Sequence, residues 1–344
     1  MGVNIKDIVE GKNISFEDLS KKPLGFDAFN MIYQFLASIR QYDGTPLVDS
    51  KDRTTSHLSG LFYRNTKFLE AGIKPVYVFD GKPPKFKTDT IKERQERKRK
   101  AEKELDKARE LDQWSEIKKK SQQTIKLNDE MIEESKKLLK AMGIPVVQAV
   151  GEGEAQAAQM AKEGYVYSAV SQDYDSLLFG APKLIKNLSI TGKRHHVRGG
   201  IIDIKPEELE LEKILNTLNI SREQLIWLGI LVGTDYNSGV KGIGAKKGLK
   251  IVQECRNIDD VMKIVKEKKD YVFDEDIESI TEYFLNPPAT KDFNLKWDEA
   301  NEKSIIQILV DEHDFSYDRV ESTIKKLKNC QTEINKQAAI SDFM

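Results

Sequence analysis

The sequence predicts an α/β fold: a central, mainly parallel sheet flanked by helices, followed by a helical C-terminal region. Short apolar runs at 24–26, 76–79, 144–147 and 166–170 alternate with helical stretches, an order that favours parallel strands joined by helical crossovers. Beyond about residue 216 the patterning becomes almost wholly helical. The 344 residues, 39% of them hydrophobic, exceed one average domain and can bury a sizeable core.

The elements follow in order. Pro23-Leu24-Gly25-Phe26 reads as a buried strand closed by Asp27, with helices at Phe29–Arg40 and Thr55–Gly72 after it. Val76-Tyr77-Val78-Phe79 is a second strand, closed by Asp80. A basic stretch, Lys82 to Lys103, leaves from that point, and residues 91 to 120 are nearly devoid of apolar side chains. Glu93/Arg97 and Glu96/Lys100 pair at helical spacing there, which predicts a solvated helix. Lys87 and Arg94 stand seven residues apart and share one side of any helix that holds both. An arch over about 82–130 fits that pattern.

A helix over Asp129–Met142 and a strand at 144–147 lead to Gly151-Glu152-Gly153-Glu154. The run at 166–170 then ends in Asp173 and Asp175. In the helical part, Ser221 and Asp259 are expected N-caps. Asp235 follows Leu231-Val232-Gly233-Thr234, and Gly239-Val240-Lys241-Gly242-Ile243-Gly244 permits a tight hairpin. The amides that open the following helix, with Lys246 and Lys247, suit a phosphate. The expected organisation is an α/β domain over 1–215, a helical region over 216–330 with a helix-hairpin-helix at about 230–250, and a tail over 331–344.

Acids at successive strand ends carry the chemistry. A parallel sheet would gather Asp27, Asp80, Glu152, Glu154, Asp173 and Asp175 at its carboxyl edge, where open α/β sheets bind ligands, with Asp235 as a further member. One such Asp is ordinarily a helix cap or turn former; recurrence in one context favours a metal site. Clustered carboxylates raise one another's pKa, and divalent cations keep them ionised. Oxygen-only donors suit Mg²⁺ or Mn²⁺, and a pair of such ions suits in-line displacement at phosphorus.

The chain has 55 basic and 56 acidic residues, a net charge of −1, so local asymmetry rather than a global basic field would seat a polyanion. Two cysteines, Cys255 and Cys330, argue against a disulfide framework and for a reducing compartment. No secretory signal or membrane-spanning run is present. His195 and His196, with no Cys nearby, are read as surface residues rather than zinc ligands. Gln337, Ile340 and Phe343 place apolar side chains three and six positions after a Gln, a spacing that can dock as a short helical turn.

Met1-Gly2-Val3, Gly25-Phe26-Asp27-Ala28-Phe29, Val78-Phe79-Asp80-Gly81-Lys82-Pro83-Pro84, Gly151 to Ala158, Gln172 to Gly180 and Gly233-Thr234-Asp235-Tyr236-Asn237 resemble, in order, the motifs of the XPG/Rad2 family of structure-specific 5′ flap endonucleases. The resemblance covers essentially the whole chain. It implies a PIN-like nuclease domain, a helical gateway, and a helix-two turns-helix element holding a monovalent ion such as K⁺. The seven acids would hold or support two Mg²⁺ ions, with Mn²⁺ as a substitute. Lys87 and Arg94 match the pair that steadies the scissile phosphate. Tyr33 matches an aromatic that stacks on the displaced nucleotide, and Arg40 and Gly2 match further DNA contacts, with Gly233, Lys246 and Lys247 in the hairpin region.

The tail resembles the motif that binds the sliding clamp PCNA, with Met344 where a second aromatic is usual. The implied activity is cleavage near the base of a 5′ flap, with 5′-3′ exonuclease activity, in Okazaki-fragment maturation and DNA repair. The implied protein is archaeal-type, cytoplasmic and monomeric. A sibling nuclease for bubbles, four-way junctions or 5′ ends would share every metal ligand, and a clamp-recruited, non-catalytic junction binder would share the tail.

Overall fold

The computed structural model describes residues 2–87, 126–190, 192–195 and 201–341, together with residues 96, 99, 100, 103, 104 and 124. The expected arch therefore lies largely outside the described residues, as do Arg94, His196, Phe343 and Met344.

The strands are β1 (Lys12–Asn13), β2 (Pro23–Asp27), β3 (Lys74–Phe79), β4 (Val146–Gln148), β5 (Ser168–Val170), β6 (Lys183–Lys186), β7 (Gly192–His195), β8 (Ile201–Ile204) and β9 (Glu207–Glu210). Seven of them form one sheet in the order β1-β9-β6-β5-β2-β3-β4. Five consecutive strands, β6, β5, β2, β3 and β4, are parallel, with β4 at the edge; β9 pairs antiparallel with β6, and β1 antiparallel with β9. The chain builds outward from β2 through β3 to β4, then crosses back to place β5 on the other side of β2. That reversal puts a crevice at the carboxyl ends of β2 and β5. The separate β7–β8 hairpin places the backbone of His195 in a strand, paired with Ile201.

The helices are α1 (Ala28–Ser38), α2 (Ser56–Glu70), α3 (Asp129–Ala141), α4 (Gly153–Lys162), α5 (Asp175–Leu178), α6 (Leu211–Leu218), α7 (Arg222–Val232), α8 (Ala245–Gln253), α9 (Ile258–Lys269), α10 (Ile277–Leu285), α11 (Glu302–Ile306) and α12 (Tyr317–Ser341). Ser221 caps α7 in a reciprocal box with Gln224. Asp259 does not cap α9; Asn257 does, its side chain accepting from Asp260 N at 2.9 Å. The extended backbone of Asn257 lets its carbonyl reach that donor, which leaves Asp259 inside the first turn to answer the helix dipole.

Two apolar clusters pack around the sheet. In one, Phe26 stacks on Phe68 and Tyr77 at centroid distances of 5.4 and 5.2 Å, and the Tyr77 hydroxyl pairs with Asn65. The stretch expected to be almost wholly helical is interrupted between α10 and α11, where 286–301 run without regular structure. Pro287 and Pro288 supply no backbone donors and stop α10 there. This strap is pinned by Gln156, whose amide bonds both N and O of Thr290, by Trp297 Nε1 donating to Pro75 O, and by Asp298 N donating to Gly143 O.

A buried polar network fastens the loop between α1 and α2. His313 lies between Asp49 and Glu134, at 3.0 and 3.1 Å, and Glu134 also faces His57 at 3.4 Å. Burial works against ionisation of Asp49, but backbone donors from Arg53 and Lys51, with His313 and the Arg53 side chain, hold its carboxyl at about 2.

Candidate active site

The ends of β2, β3 and β5 and the start of α4 place their acids in one crevice. Asp27 ends β2 and caps α1, accepting from Asn30 N at 3.1 Å. Asp80 follows β3 and accepts from Gly153 N at 2.7 Å, which joins the β3 edge to the start of α4. Glu152 stands at the N-cap position of α4 and Glu154 in its first turn, where the Ser171 hydroxyl donates to Glu154. Asp175 opens α5 and accepts from Val3 N at 2.7 Å. Asp173 accepts from the Asn30 side chain at 3.1 Å.

Burial is the largest force on these carboxylates, and they repel one another. Burial, then Asp80, raises Asp27 well above the usual carboxylate range; burial, then Asp27, Asp175 and Asp173, does the same to Glu154. Asp80 is pushed up to about 6 by burial and Glu152, and Asp175 to about 7 by burial and Asp235. All seven expected acids take part in this one set of repulsions.

Lys87 is drawn into the same crevice. Its ammonium lies 2.6 Å from Glu152 Oε2 and 3.8 Å from Asp235 Oδ2. Burial opposes its charge, but Glu152, Asp235 and Asp80 outweigh burial and raise its pKa. Among the described residues no three His, Cys, Asp or Glu side chains are placed as a finished metal cage. The donor set nevertheless fits a hard divalent ion: it is all carboxylate oxygen, crowded and short of positive charge, with a lysine supplying part of the compensation.

Gly2 explains why the N-terminal segment can run here, since a Cβ on it would stand 2.7 Å from Asp173 Cβ and 3.0 Å from Asp175. Tyr33, further along α1 from Asp27, is 44% exposed. Arg40 is committed locally: Nε donates to Leu36 O at 2.9 Å and Nη1 to Gly44 O at 2.7 Å, which shapes the following loop. Gly233 and Gly239 adopt positive φ of 107° and 73°, and a Cβ on Gly239 would stand 2.5 Å from Gly233 N. That close turn carries Asp235 inward, while Lys246 and Lys247 are exposed in the first turn of α8.

Three positioning contacts escaped sequence reasoning. Asn30 bridges α1 to the 172–175 turn, donating to Asp173 and accepting from Gln172 N at 3.1 Å. Ser171 bridges Glu154 and the Asp173 amide. Phe86 packs on Tyr236 and Tyr283. Only Asn30 left a trace in the chain, as a polar residue three positions after Asp27 in an otherwise apolar helix start.

The raised carboxylates set a pH dependence. For Asp175, about 7 in the folded state against an ordinary value near 4, ionisation costs the folded chain; the penalty is absent below about 4, grows as pH rises from there and is complete above about 7. The metal-free protein is therefore expected to melt at a lower temperature at about pH 8 than at about pH 5 in chelator, and added Mg²⁺ to raise the midpoint more at the higher pH. A midpoint that climbs steadily from about pH 5 to 8 without metal would contradict this.

The XPG N-terminal domain matches residues 3–101 and the XPG I-region residues 143–235. Flap endonuclease 1 of Pyrococcus furiosus is 52% identical over 330 residues, 95% of each chain, and that of Hyperthermus butylicus 50% identical over 338 residues, 97% of this chain and 96% of that one. The solved flap endonuclease-1 from Methanococcus jannaschii superposes with a TM-score of 0.76 at 40% identity, covering 96% of this chain and 99% of that one. The catalytic core of Rad2 in complex with a DNA substrate shares the fold, with a TM-score of 0.70 at 24% identity, over 95% of this chain and 100% of that one. Among the described residues no helix is long and apolar enough to cross a membrane. With its acids gathered at one sheet edge and this likeness running along the whole chain, the protein belongs to the flap endonuclease 1 family of XPG nucleases, metal-dependent endonucleases that cut DNA at 5′ flaps.

Proposed function

We propose that Asp27, Asp80, Glu152, Glu154, Asp173, Asp175 and Asp235 hold or support two Mg²⁺ ions and that the DNA phosphodiester is cut beside them, near the base of the flap. The observation that carries this reading is the mutual repulsion of buried carboxylates at one sheet edge, with Lys87 among them. Bound there, such ions lower the pKa of an attacking water and offset charge on the leaving oxygen. Asn30, Ser171 and the Gly153 amide fix the carboxylates' directions, so little reorganisation accompanies the reaction. Lys87 supplies a positive charge beside the phosphate, with Arg94 assigned the same role. Tyr33 offers its exposed ring for stacking, and Gly2 and Arg40 serve the same DNA end.

The exposed Lys246 and Lys247 hold the duplex backbone at the start of α8, and the glycine-built turns before them suit K⁺ through backbone carbonyls. In this reading residues 1–215 form the nuclease domain, 216–330 the duplex-binding region and 331–344 the clamp-binding tail. The protein acts as a cytoplasmic monomer in Okazaki-fragment maturation and repair, with 5′-3′ exonuclease activity. Mn²⁺ is able to replace Mg²⁺.

End-labelled 5′ flap, duplex, bubble and four-way junction DNA, each with and without Mg²⁺, test the reading. The expected result is Mg²⁺-dependent cutting concentrated at the flap base. Preference for another structure would move the chain to a sibling activity, and binding without cutting would make it a scaffold. For the tail, α12 runs unbroken through the backbone of Gln337 and Ile340. Deleting residues 337–344 is expected to leave intrinsic cleavage intact and remove stimulation by PCNA; equal stimulation of the shortened chain would reject the motif.

A further inference from the structure

The turn that carries Lys87 is held by side chains from a distant part of the chain. Residues Lys85–Lys87 form a single 3₁₀ turn, closed by Lys87 N donating to Pro84 O at 3.1 Å. Next to Lys87, the Phe86 ring meets Tyr236 edge-on at 5.2 Å and 89°, and Tyr283 at 5.2 Å and 83°. The two tyrosines pack on each other at 5.4 Å and are backed by Phe179 and Phe284. Tyr283 belongs to α10, and its hydroxyl lies 3.0 Å from where a Cβ on Gly151 would stand, beside the turn that presents Glu152. The Lys87 ammonium itself lies 5.9 Å from the Tyr236 ring centroid.

Successive side chains of a 3₁₀ turn leave it about a third of a revolution apart. Fixing the Phe86 ring therefore fixes the rotation of the turn, and with it the direction in which Lys87 leaves. Two perpendicular ring contacts fix an orientation better than one, because sliding along either partner breaks the other.

We propose that Phe86, clasped between Tyr236 and Tyr283, is a positioning residue for Lys87, and that α10 takes part in cleavage through this clasp. The proposal rests on the role given to Lys87 above. Phe86 acts through the two tyrosine rings it packs on, and decides where the ammonium stands relative to Glu152 and Asp235.

The test is single-turnover cleavage of the flap substrate by the full chain, with protein in excess and Mg²⁺ saturating. It compares Phe86→Ala, Phe86→Leu, Lys87→Met and the Phe86→Ala/Lys87→Met pair, with DNA affinity measured in chelator. Phe86→Ala is expected to slow cleavage about tenfold, Phe86→Leu to recover to within about threefold, and DNA affinity to move by less than about twofold. In the Lys87→Met background Phe86→Ala is expected to add less than about twofold, because its effect passes through the missing ammonium. A tenfold loss that persists without Lys87, or wild-type cleavage by Phe86→Ala, overturns the clasp. Wild-type cleavage by Lys87→Met would instead remove the role of Lys87 itself. Should Phe86→Ala fail to fold, Tyr283→Leu runs the same cycle from the other side of the clasp, and the same outcomes support or overturn it.

Discussion

Asp175→Asn is expected to abolish cleavage and to leave a more stable metal-free protein. The amide keeps the shape of the side chain and an oxygen for Val3 N, so the 2.7 Å bond that seats the N-terminal segment survives. What disappears is a negative charge on a 4% exposed group whose pKa burial and Asp235 push up to about 7. Glu154, which Asp175 also repels, ionises more easily in its absence. Cleavage should fall by about 10³-fold, the scale on which removing one charge-stabilising group acts in a water-poor site. In chelator at about pH 8 the melting midpoint should rise by about 2 °C or more. Loss of stability together with activity would make Asp175 a structural residue, and retained cleavage would take it out of the metal site.

Lys87→Met should separate two effects of one ammonium. In the metal-free protein that ammonium compensates Glu152 at 2.6 Å and Asp235 at 3.8 Å, two of the acids assigned to the metals. Removing it leaves these carboxylates open to the cation, so half-saturation should need less Mg²⁺. At saturating Mg²⁺ the single-turnover rate should nevertheless fall by about 10²-fold, because charge developing on the phosphate loses its partner. Without metal the melting midpoint should drop, since the repulsion between Glu152 and Asp80 then loses the ammonium that offsets it. A variant with weaker Mg²⁺ binding and an unchanged rate would mean that Lys87 organises the metal site and does not serve the phosphate.

The parallel sheet and its acids were legible because both obey local rules. The strands β2, β3, β4 and β5 are short apolar runs, and their acids come one to seven residues after them, so the placement of Asp27, Asp80 and Asp173 follows from strand direction alone, whereas β6 left no such run. Asn30, Ser171 and the Phe86 clasp were not legible. Their partners lie at Asp173, Glu154, Tyr236 and Tyr283, and no local pattern records which distant side chains a fold brings together. The N-cap of α9 was misplaced by two residues because Asn257 and Asp259 are both good caps, and backbone conformation decided between them. The bonds of the Arg40 guanidinium to the carbonyls of Leu36 and Gly44 were not legible either, because they depend on how the loop after α1 folds back.

The strap over 286–301 also guards against misassembly. β4 is the outermost strand on its side of the sheet and pairs with Tyr77–Phe79, so among the described residues the first half of β3, from Lys74 to Val76, has no strand neighbour on that flank. Unpaired strand backbone invites another polypeptide to add itself as the next strand. There the Trp297 indole takes the Pro75 carbonyl, and Phe293, Leu295 and Trp297 lie against the apolar cluster that contains Val147. A chain cut within the strap would keep its acids and its fold but expose a sticky border, and it would be lost to aggregation on heating before its active site failed.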